Sequence, residues 1–246
     1  MTDLFPIGRP RGHRLACRRR DGRGPAIIFL PGYMSDMEGG KATALDLWAA
    51  REGRAMIRFD YRGCGGSDGA FQDFSLADWR DDVLAVIDEV AEGPVVLAGS
   101  SMGGWLMLLA ALERPERVAG LAGIAAAPDF TSWGFSEEQK TVIRNEGRLV
   151  EPSDYGDQPY VTTRRFWESG ESLLLLGAEI AIHCPVRLLH GQADPDVPWQ
   201  ISLKLAEQLR SADVQTLLVK HGDHRLSRPQ DIDLIVAAVA ALTESL

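Results

Sequence analysis

Two rhythms of apolar residues alternate along this chain. Short, mostly apolar runs occupy residues 26–30, 56–59, 95–98, 118–126, 186–189 and 214–219, with glycine, proline or charged residues close to their ends. Such runs predict strands of a parallel sheet, because both faces of that sheet are buried. Between them, apolar residues recur at helical spacing over 44–51, 105–112, 201–209 and 232–242. Leu76, Trp79, Val83, Val86, Ile87 and Val90 do the same, with Asp and Glu between them. Residues 14–20 alternate weakly and predict an N-terminal strand or hairpin. The alternation predicts an α/β domain: a mostly parallel sheet with helices on both faces. No internal repeat or low-complexity tract interrupts it.

Residues 129–183 break the rhythm. They carry Trp133, Phe135, Tyr155, Pro159, Tyr160, Phe166 and Trp167, and then four consecutive leucines ending at Leu176. Structureless loops of this length are uncommon. The expected organisation is therefore a core of residues 1–128 and 184–246 with a small helical cap, 129–183, inserted between two strands. Trp133, Phe135, Phe166 and Trp167 are the candidate walls of a substrate pocket under that cap. Simple packing of the cap onto the body explains the same side chains, and the pattern does not separate the two.

Composition narrows the class. With 246 residues and 45% hydrophobic content, the chain suits one domain with a sizeable core. A formal charge of -9 repels phosphate backbones and excludes nucleic acid as a partner. The run Arg18-Arg19-Arg20 is short and reads as a solvated strand end. Cys17, Cys64 and Cys184 are odd in number and far apart, with no CxxC, so reduced thiols are expected and no disulfide or structural zinc. Cys64 lies in a glycine-rich loop that a site could share. The first residues, Met1 to Pro6, form no apolar leader core, and no stretch approaches the ~20 apolar residues of a membrane span. A cytoplasmic protein without a membrane span is expected.

The chemistry centres on Gly99-Ser100-Ser101-Met102-Gly103, between an apolar run and a helical one. G-x-S-x-G at a strand-to-helix junction is the nucleophile elbow of serine hydrolases. Only Ser101 has glycine at both flanking positions, so it is the candidate nucleophile and Ser100 its structural neighbour. A serine hydroxyl needs a base, and the base needs an orienting carboxylate. His224, in the loop after the last predicted strand, is preferred as base over its neighbour His221. His13, His183 and His190 sit in the wrong places. Asp194, in the loop after the preceding strand, is preferred as acid. Asp196 is expected to organise that turn or cap the next helix, and Asp129 is a third candidate. The oxyanion donors are expected to be Met102 N–H, at a helix N-terminus, and Tyr33 N-H, after the first buried strand. The Tyr33 ring is equally explained as wall packing.

Leu30-Pro31-Gly32-Tyr33, Arg58-Phe59-Asp60-Tyr61-Arg62-Gly63, the elbow, the segment from His190 to Pro198 and Asp223-His224 together resemble the α/β-hydrolase superfamily. Three stretches are more similar to its mitochondrial palmitoyl-protein thioesterases, which also cleave acyl glucuronides. These are Gly99 to Met107, Cys184 to Gly191 and Lys220 to Arg225. The resemblance implies the α/β-hydrolase fold, a triad of Ser101, Asp194 and His224, and no metal or cofactor. It implies an acyl ester or thioester substrate, including S-acylated proteins. Residues 129–183 match least, and no mitochondrial leader is seen. The alternatives are a general carboxylesterase or lipase, and a non-catalytic binding protein on the same scaffold. The oligomeric state is not fixed by any of these features.

Overall fold

The computed structural model describes residues 4–9, 12–152 and 159–246, so Tyr155 and the first three residues lie outside it. An eight-stranded sheet runs through the middle in the order β1-β2-β4-β3-β5-β6-β9-β10. β1 (Leu4–Gly8) and β2 (Arg14–Arg20) form the antiparallel hairpin at one edge. β3 (Arg23–Leu30) then lies in the centre, and α1 (Gly40–Glu52) crosses over to β4 (Arg54–Phe59). From β3 onward every pairing is parallel, while β2 meets β4 antiparallel.

Alternate strand residues feed two separate cores, as the two-residue period of a covered sheet requires. Ile28, Leu30, Val95 and Leu97 point to one side, against Trp79 of α2 (Leu76–Ala85) and Trp105 of α3 (Met102–Glu113). Ile27, Phe29, Val96 and Ala98 point to the other, against Leu45 of α1 and Val239 of α8 (Pro229–Glu244). β5 (Val95–Ser100) and β6 (Val118–Ile124) are buried almost throughout. β9 (Val186–Gly191), α7 (Gln200–Gln208) and β10 (Val214–Val219) complete the sheet. The helical pattern over 76–90 is realised as α2 followed by a π turn, Val86–Val90. The three consecutive arginines are ion-paired on the surface, with Glu38, Asp21, Glu92 and Asp46 as partners.

Chain order reverses beside β3: α1 leads to β4 on one side, and the next strand, β5, pairs on the other. At such a switch point the loops leaving the two strands diverge and open a crevice at their C-terminal ends. The loop after β3 and the elbow after β5 flank that crevice.

Between β6 and β9 the chain forms α4 (Phe130–Trp133), α5 (Glu137–Glu146), β7 (Arg148–Glu151), β8 (Tyr160–Thr163) and α6 (Arg164–Glu171). β7 and β8 pair antiparallel as a ribbon that the apolar pattern does not reveal. Asp129 fastens this segment at its root. Its backbone is left-handed, with φ 60°, and its carboxylate accepts N–H bonds from Leu175 and Leu176 at 2.8 and 2.7 Å. That use, 46 residues along the chain, removes it from consideration as the catalytic acid. Arg165 of α6 grips the core, donating to Asp78 Oδ2 at 2.7 Å.

Cys17 and Cys64 are buried hydrophobes of the core, and burial pushes both thiols up to about 12. Cys64 is therefore a packed thiol rather than a reactive one. Among the described residues, no helix is long and apolar enough to cross a membrane.

α2 begins with a capping box in which Ser75 accepts from Asp78 N–H and Asp78 accepts from Ser75 N–H. Ser75→Ala should cost about 1 kcal/mol. In a domain of this size that lowers the melting temperature by roughly 2–4 °C, which a thermal scan would read.

Candidate active site

The elbow exists because two glycines allow backbones to touch. A Cβ at Gly99 would collide with the Gly103 carbonyl, and one at Gly103 with the Leu30 carbonyl. The turn between β5 and α3 is thus too tight for any side chain at either position. Ser101 at its apex takes φ 54° and ψ −119°, a left-handed conformation that costs a non-glycine residue on the order of 1–3 kcal/mol. It is held there by its own N–H to Ile124 O at 2.9 Å and by Ala127 N–H to its carbonyl at 3.1 Å. The hydroxyl is lifted clear of the sheet, at the N-terminus of α3. Ser100 ends β5 and is buried.

A second pair of glycines brings two further loops together. A Cβ at Gly191 would strike the Gly222 carbonyl, and one at Gly222 would lie 3.0 Å from Gly191 Cα. Ala193 N–H donates to Gly222 O at 2.9 Å. The loops after β9 and β10 are locked side by side, and each carries one polar side chain inward. His224 Nδ1 lies 2.8 Å from Asp194 Oδ2, and His224 Nε2 lies 3.1 Å from Ser101 Oγ. Asp223 holds the His224 turn by accepting Leu226 N–H at 2.9 Å. His221 is exposed and takes no part.

Asp194 is fixed by more than His224. Its Oδ1 accepts Asp196 N–H at 2.8 Å and Val197 N–H at 2.9 Å. Its Oδ2 also meets His190 Nε2 at 3.1 Å. Burial alone would raise this carboxyl, but hydrogen bonds from His190 and His224 outweigh it and hold Asp194 well below the ordinary carboxylate range. Asp194, not Asp196, organises its own turn. α7 has Trp199 at its cap position and no side-chain cap, so Asp196 does not cap it.

The loop after β3 covers the nucleophile. A Cβ at Gly32 would sit 3.4 Å from Ser101 Cβ and 4.0 Å from its Oγ, so the Pro31-Gly32-Tyr33 backbone passes directly over the hydroxyl. The first N–H groups of a helix lack intrahelical acceptors, and Met102 opens α3. The Tyr33 ring packs into an aromatic cluster with Phe71, Phe130 and Phe166, at centroid distances of 4.8, 6.0 and 5.1 Å. Its hydroxyl donates to Val161 O of β8 at 2.8 Å, and burial raises its pKa strongly.

Above Ser101 and His224 opens a cavity of about 580 Å³, within the roughly 300–1,000 Å³ usual for small-molecule sites. Phe130, Trp133, Phe135 and Tyr160 line it from the segment between β6 and β9. Lys41, Arg225 and Ser227 line it beside His224. Lys41 donates to Arg225 O at 2.7 Å, and burial, with Arg225 beside it, brings its pKa down to about 8. Two of the four expected pocket residues are elsewhere. Phe166 is 1% exposed and packs on Trp79 at 5.5 Å. Trp167 is buried, with Nε1 bonded to Thr131 O at 3.1 Å and Arg144 over its ring. The reason is the helical period: α6 turns Phe166 onto Trp79 of the core and Trp167 onto α4 and α5 of the inserted segment, both away from the cavity.

Among the described residues, Asp194, Asp196 and His224 are the one group whose side chains cluster closely enough to ligate a metal, within 4.8 Å. Asp194 and His224 already spend their facing atoms on each other, so the donor set fits a hydrogen-bonded chain better than a coordination sphere. Sequence reasoning missed His190, which it set aside as misplaced. Its signal was a histidine inside an apolar strand run, four residues before a candidate acid.

The alpha/beta hydrolase fold family matches residues 25–149. A palmitoyl-protein thioesterase of Homo sapiens, named as mitochondrial, is 42% identical over 249 residues, which span 100% of this chain and 81% of that protein. The solved alpha/beta hydrolase domain-containing protein 10 from mouse superposes with a TM-score of 0.92 at 42% identity, covering 99% of each chain. A proposed hydrolase from Agrobacterium vitis S4 also gives a TM-score of 0.92, at 40% identity, covering 99% of this chain and 98% of the other. The curated mammalian thioesterases are named as mitochondrial, and this overturns the expected cytoplasmic compartment.

Two measurements follow from this geometry. Ser101→Ala should abolish labelling by a fluorophosphonate probe and Ser100→Ala should leave most of it, because only the Ser101 hydroxyl meets His224. Equal loss in both would reject that reading of the elbow. Asp194 should also shape acid stability. Its depressed folded pKa stabilises the fold fully above the ordinary carboxylate value of about 4. That contribution disappears as pH falls further, so melting temperature should drop more steeply below pH ~4 in the wild type than in Asp194→Asn.

Proposed function

This chain belongs to the alpha/beta hydrolase fold family, and on that premise we propose that it hydrolyses acyl thioesters and esters through a serine-bound acyl intermediate. The observation that carries the proposal is the continuous chain from Ser101 through His224 to Asp194 beneath the cavity. Ser101 Oγ attacks the acyl carbonyl while His224 Nε2 takes its proton. Asp194 steadies the resulting imidazolium at Nδ1. The carbonyl oxygen becomes an oxyanion facing the Met102 and Tyr33 N–H groups, where the α3 dipole adds to the hydrogen bonds. Collapse breaks the bond to the leaving group. An alkoxide takes the proton from His224 as it leaves. A thiolate leaves before it is protonated, and His224 then passes the proton to it or to solvent. The imidazole is thus neutral again before deacylation. Water then attacks the acyl-serine, gives a proton to His224 and restores the Ser101 hydroxyl as the acid departs.

The walls of the cavity suggest how a substrate lies. The leaving group must face His224, and there the wall is polar, with Lys41, Arg225 and Ser227. The acyl chain then runs under residues 129–183, which act as the cap and offer Phe130, Trp133, Phe135 and Tyr160. An S-acylated cysteine suits this arrangement, with an apolar acyl group on one side and a polar peptide on the other. The human relative bears the name of that activity.

The test is a series of acyl thioesters and p-nitrophenyl esters. Values of kcat/KM should rise from acetyl to at least a medium-length chain, by at most roughly three- to fourfold per methylene, since each buries up to about 0.8 kcal/mol. Trp133→Ala or Phe135→Ala should flatten the rise and spare acetyl turnover. Phe166→Ala should lower the melting temperature and leave the rise intact. Preference for acetyl esters over every thioester would favour a general carboxylesterase, and failure of the wild type to react with fluorophosphonate would reject a serine hydrolase. The rate should also fall on acidification with the slope of a single proton, because only a neutral His224 accepts the serine proton.

A further inference from the structure

His190 is a fully buried polar side chain in β9, next to the buried Leu188 and Leu189. Its Nε2 lies 3.0 Å from Val197 O and 3.1 Å from Asp194 Oδ2, and its Nδ1 lies 2.7 Å from Ser202 Oγ on α7. A backbone carbonyl only accepts, so Nε2 must carry a hydrogen, which it shares between Val197 O and the carboxylate. Ser202 meets the other nitrogen. The ring is thus fixed at both ends, by α7 and by the loop after β9. Asp194 Oδ2 receives two imidazole N–H groups, one from each side, while Oδ1 receives two from the backbone. Every acceptor direction of the carboxylate is filled, and it cannot rotate.

We infer that His190 is a positioning residue for the reaction, setting both the orientation and the basicity of Asp194. The inference rests on the proposed roles of Ser101, His224 and Asp194. A second N–H on Oδ2 draws charge away from the bond to His224. Without it, the carboxylate would hold the His224 cation more strongly, and the base would stay protonated to higher pH. The strength of the base is therefore tuned from behind, through a residue that never meets substrate. Asp194 is the titratable group in contact with His190; the neighbouring strand residues Leu218 and Ala125 carry no charge. Asp196 faces the relay directly: its N–H fills Asp194 Oδ1 and its carboxylate lies within 4.8 Å of the Asp194 and His224 side-chain atoms. Lys41 and Arg225 line the cavity near His224, and all three charged groups are the same in the wild type and the His190 variants.

Two substitutions separate the donor from the bulk. His190→Gln places an amide N–H near the position of Nε2 and retains a donor for Asp194. His190→Asn reaches only as far as Nδ1, so it keeps the Ser202 contact and loses the donor. The rate of fluorophosphonate labelling, followed against pH, reads the base directly. The expected result for His190→Asn is a labelling rate lowered on the order of 10–100-fold, the usual scale for losing an orienting partner. Its acid limb should move to higher pH by at least half a unit. His190→Gln should restore most of the rate and the limb. An unchanged limb and rate in a folded His190→Asn would reduce His190 to packing and overturn the inference. A wild type that is not labelled at all would instead reject the hydrolase reading. Should both variants fail to fold, the wild-type ring decides. Nitrogen-15 correlation spectra should show His190 protonated at Nε2, with that proton resonance displaced in Asp194→Asn. An Nε2 without a proton would overturn the inference.

Discussion

The reactive edge of this molecule depends on contact between backbones. Ser101 stands clear of the sheet only because the elbow folds Gly99 against the Gly103 carbonyl and sets Gly103 under Leu30 O. Asp194 and His224 meet only because Gly191 and Gly222 let two neighbouring loops touch. Each of these approaches is closer than any Cβ permits. Ser101, Asp194 and His224 thereby lie one, three and five residues beyond the ends of β5, β9 and β10. The strain at Ser101 is sustained by bonds to Ile124 and Ala127, residues of the adjacent strand and its exit.

Much of this was legible in the sequence, for identifiable reasons. Fully buried parallel strands leave uninterrupted apolar runs, as at 95–98 in β5, and the edge strand over 214–219 reads off at its true length although it is only half-buried. The elbow is legible because steric exclusion writes itself as glycine at fixed spacing. The ribbon of β7 and β8 was not legible. Its residues alternate over too few positions, and β7 is never fully buried. Phe166 and Trp167 were taken for pocket walls because bulk alone does not reveal which way a helix faces. Phe130 and Tyr160, which do line the cavity, carry the same apolar signal. His190 was passed over because it flanks a predicted strand, away from the loop where the base arrives, and its partner Asp194 meets it only once the loop after β9 turns back.

The buried polar groups of the site converge on one carboxylate. Asp194 gathers donors from two histidines and two backbone amides, and pays for its burial with them. His190 extends the set to Ser202 on α7, so a helix on one face of the sheet is tied to the loop that holds the base. A network filled at every acceptor resists rearrangement more than a single hydrogen bond does, because any rotation leaves a buried group unsatisfied.

Tyr33 joins two parts of the protein that are usually considered separately. Its backbone lies in the loop over Ser101, and its hydroxyl ends on Val161 O of the inserted segment. Exchanging that segment for one from a related hydrolase would remove the acceptor of a buried phenol and loosen the loop above the nucleophile. Grafts that alter the pocket must therefore supply a carbonyl where Val161 now stands.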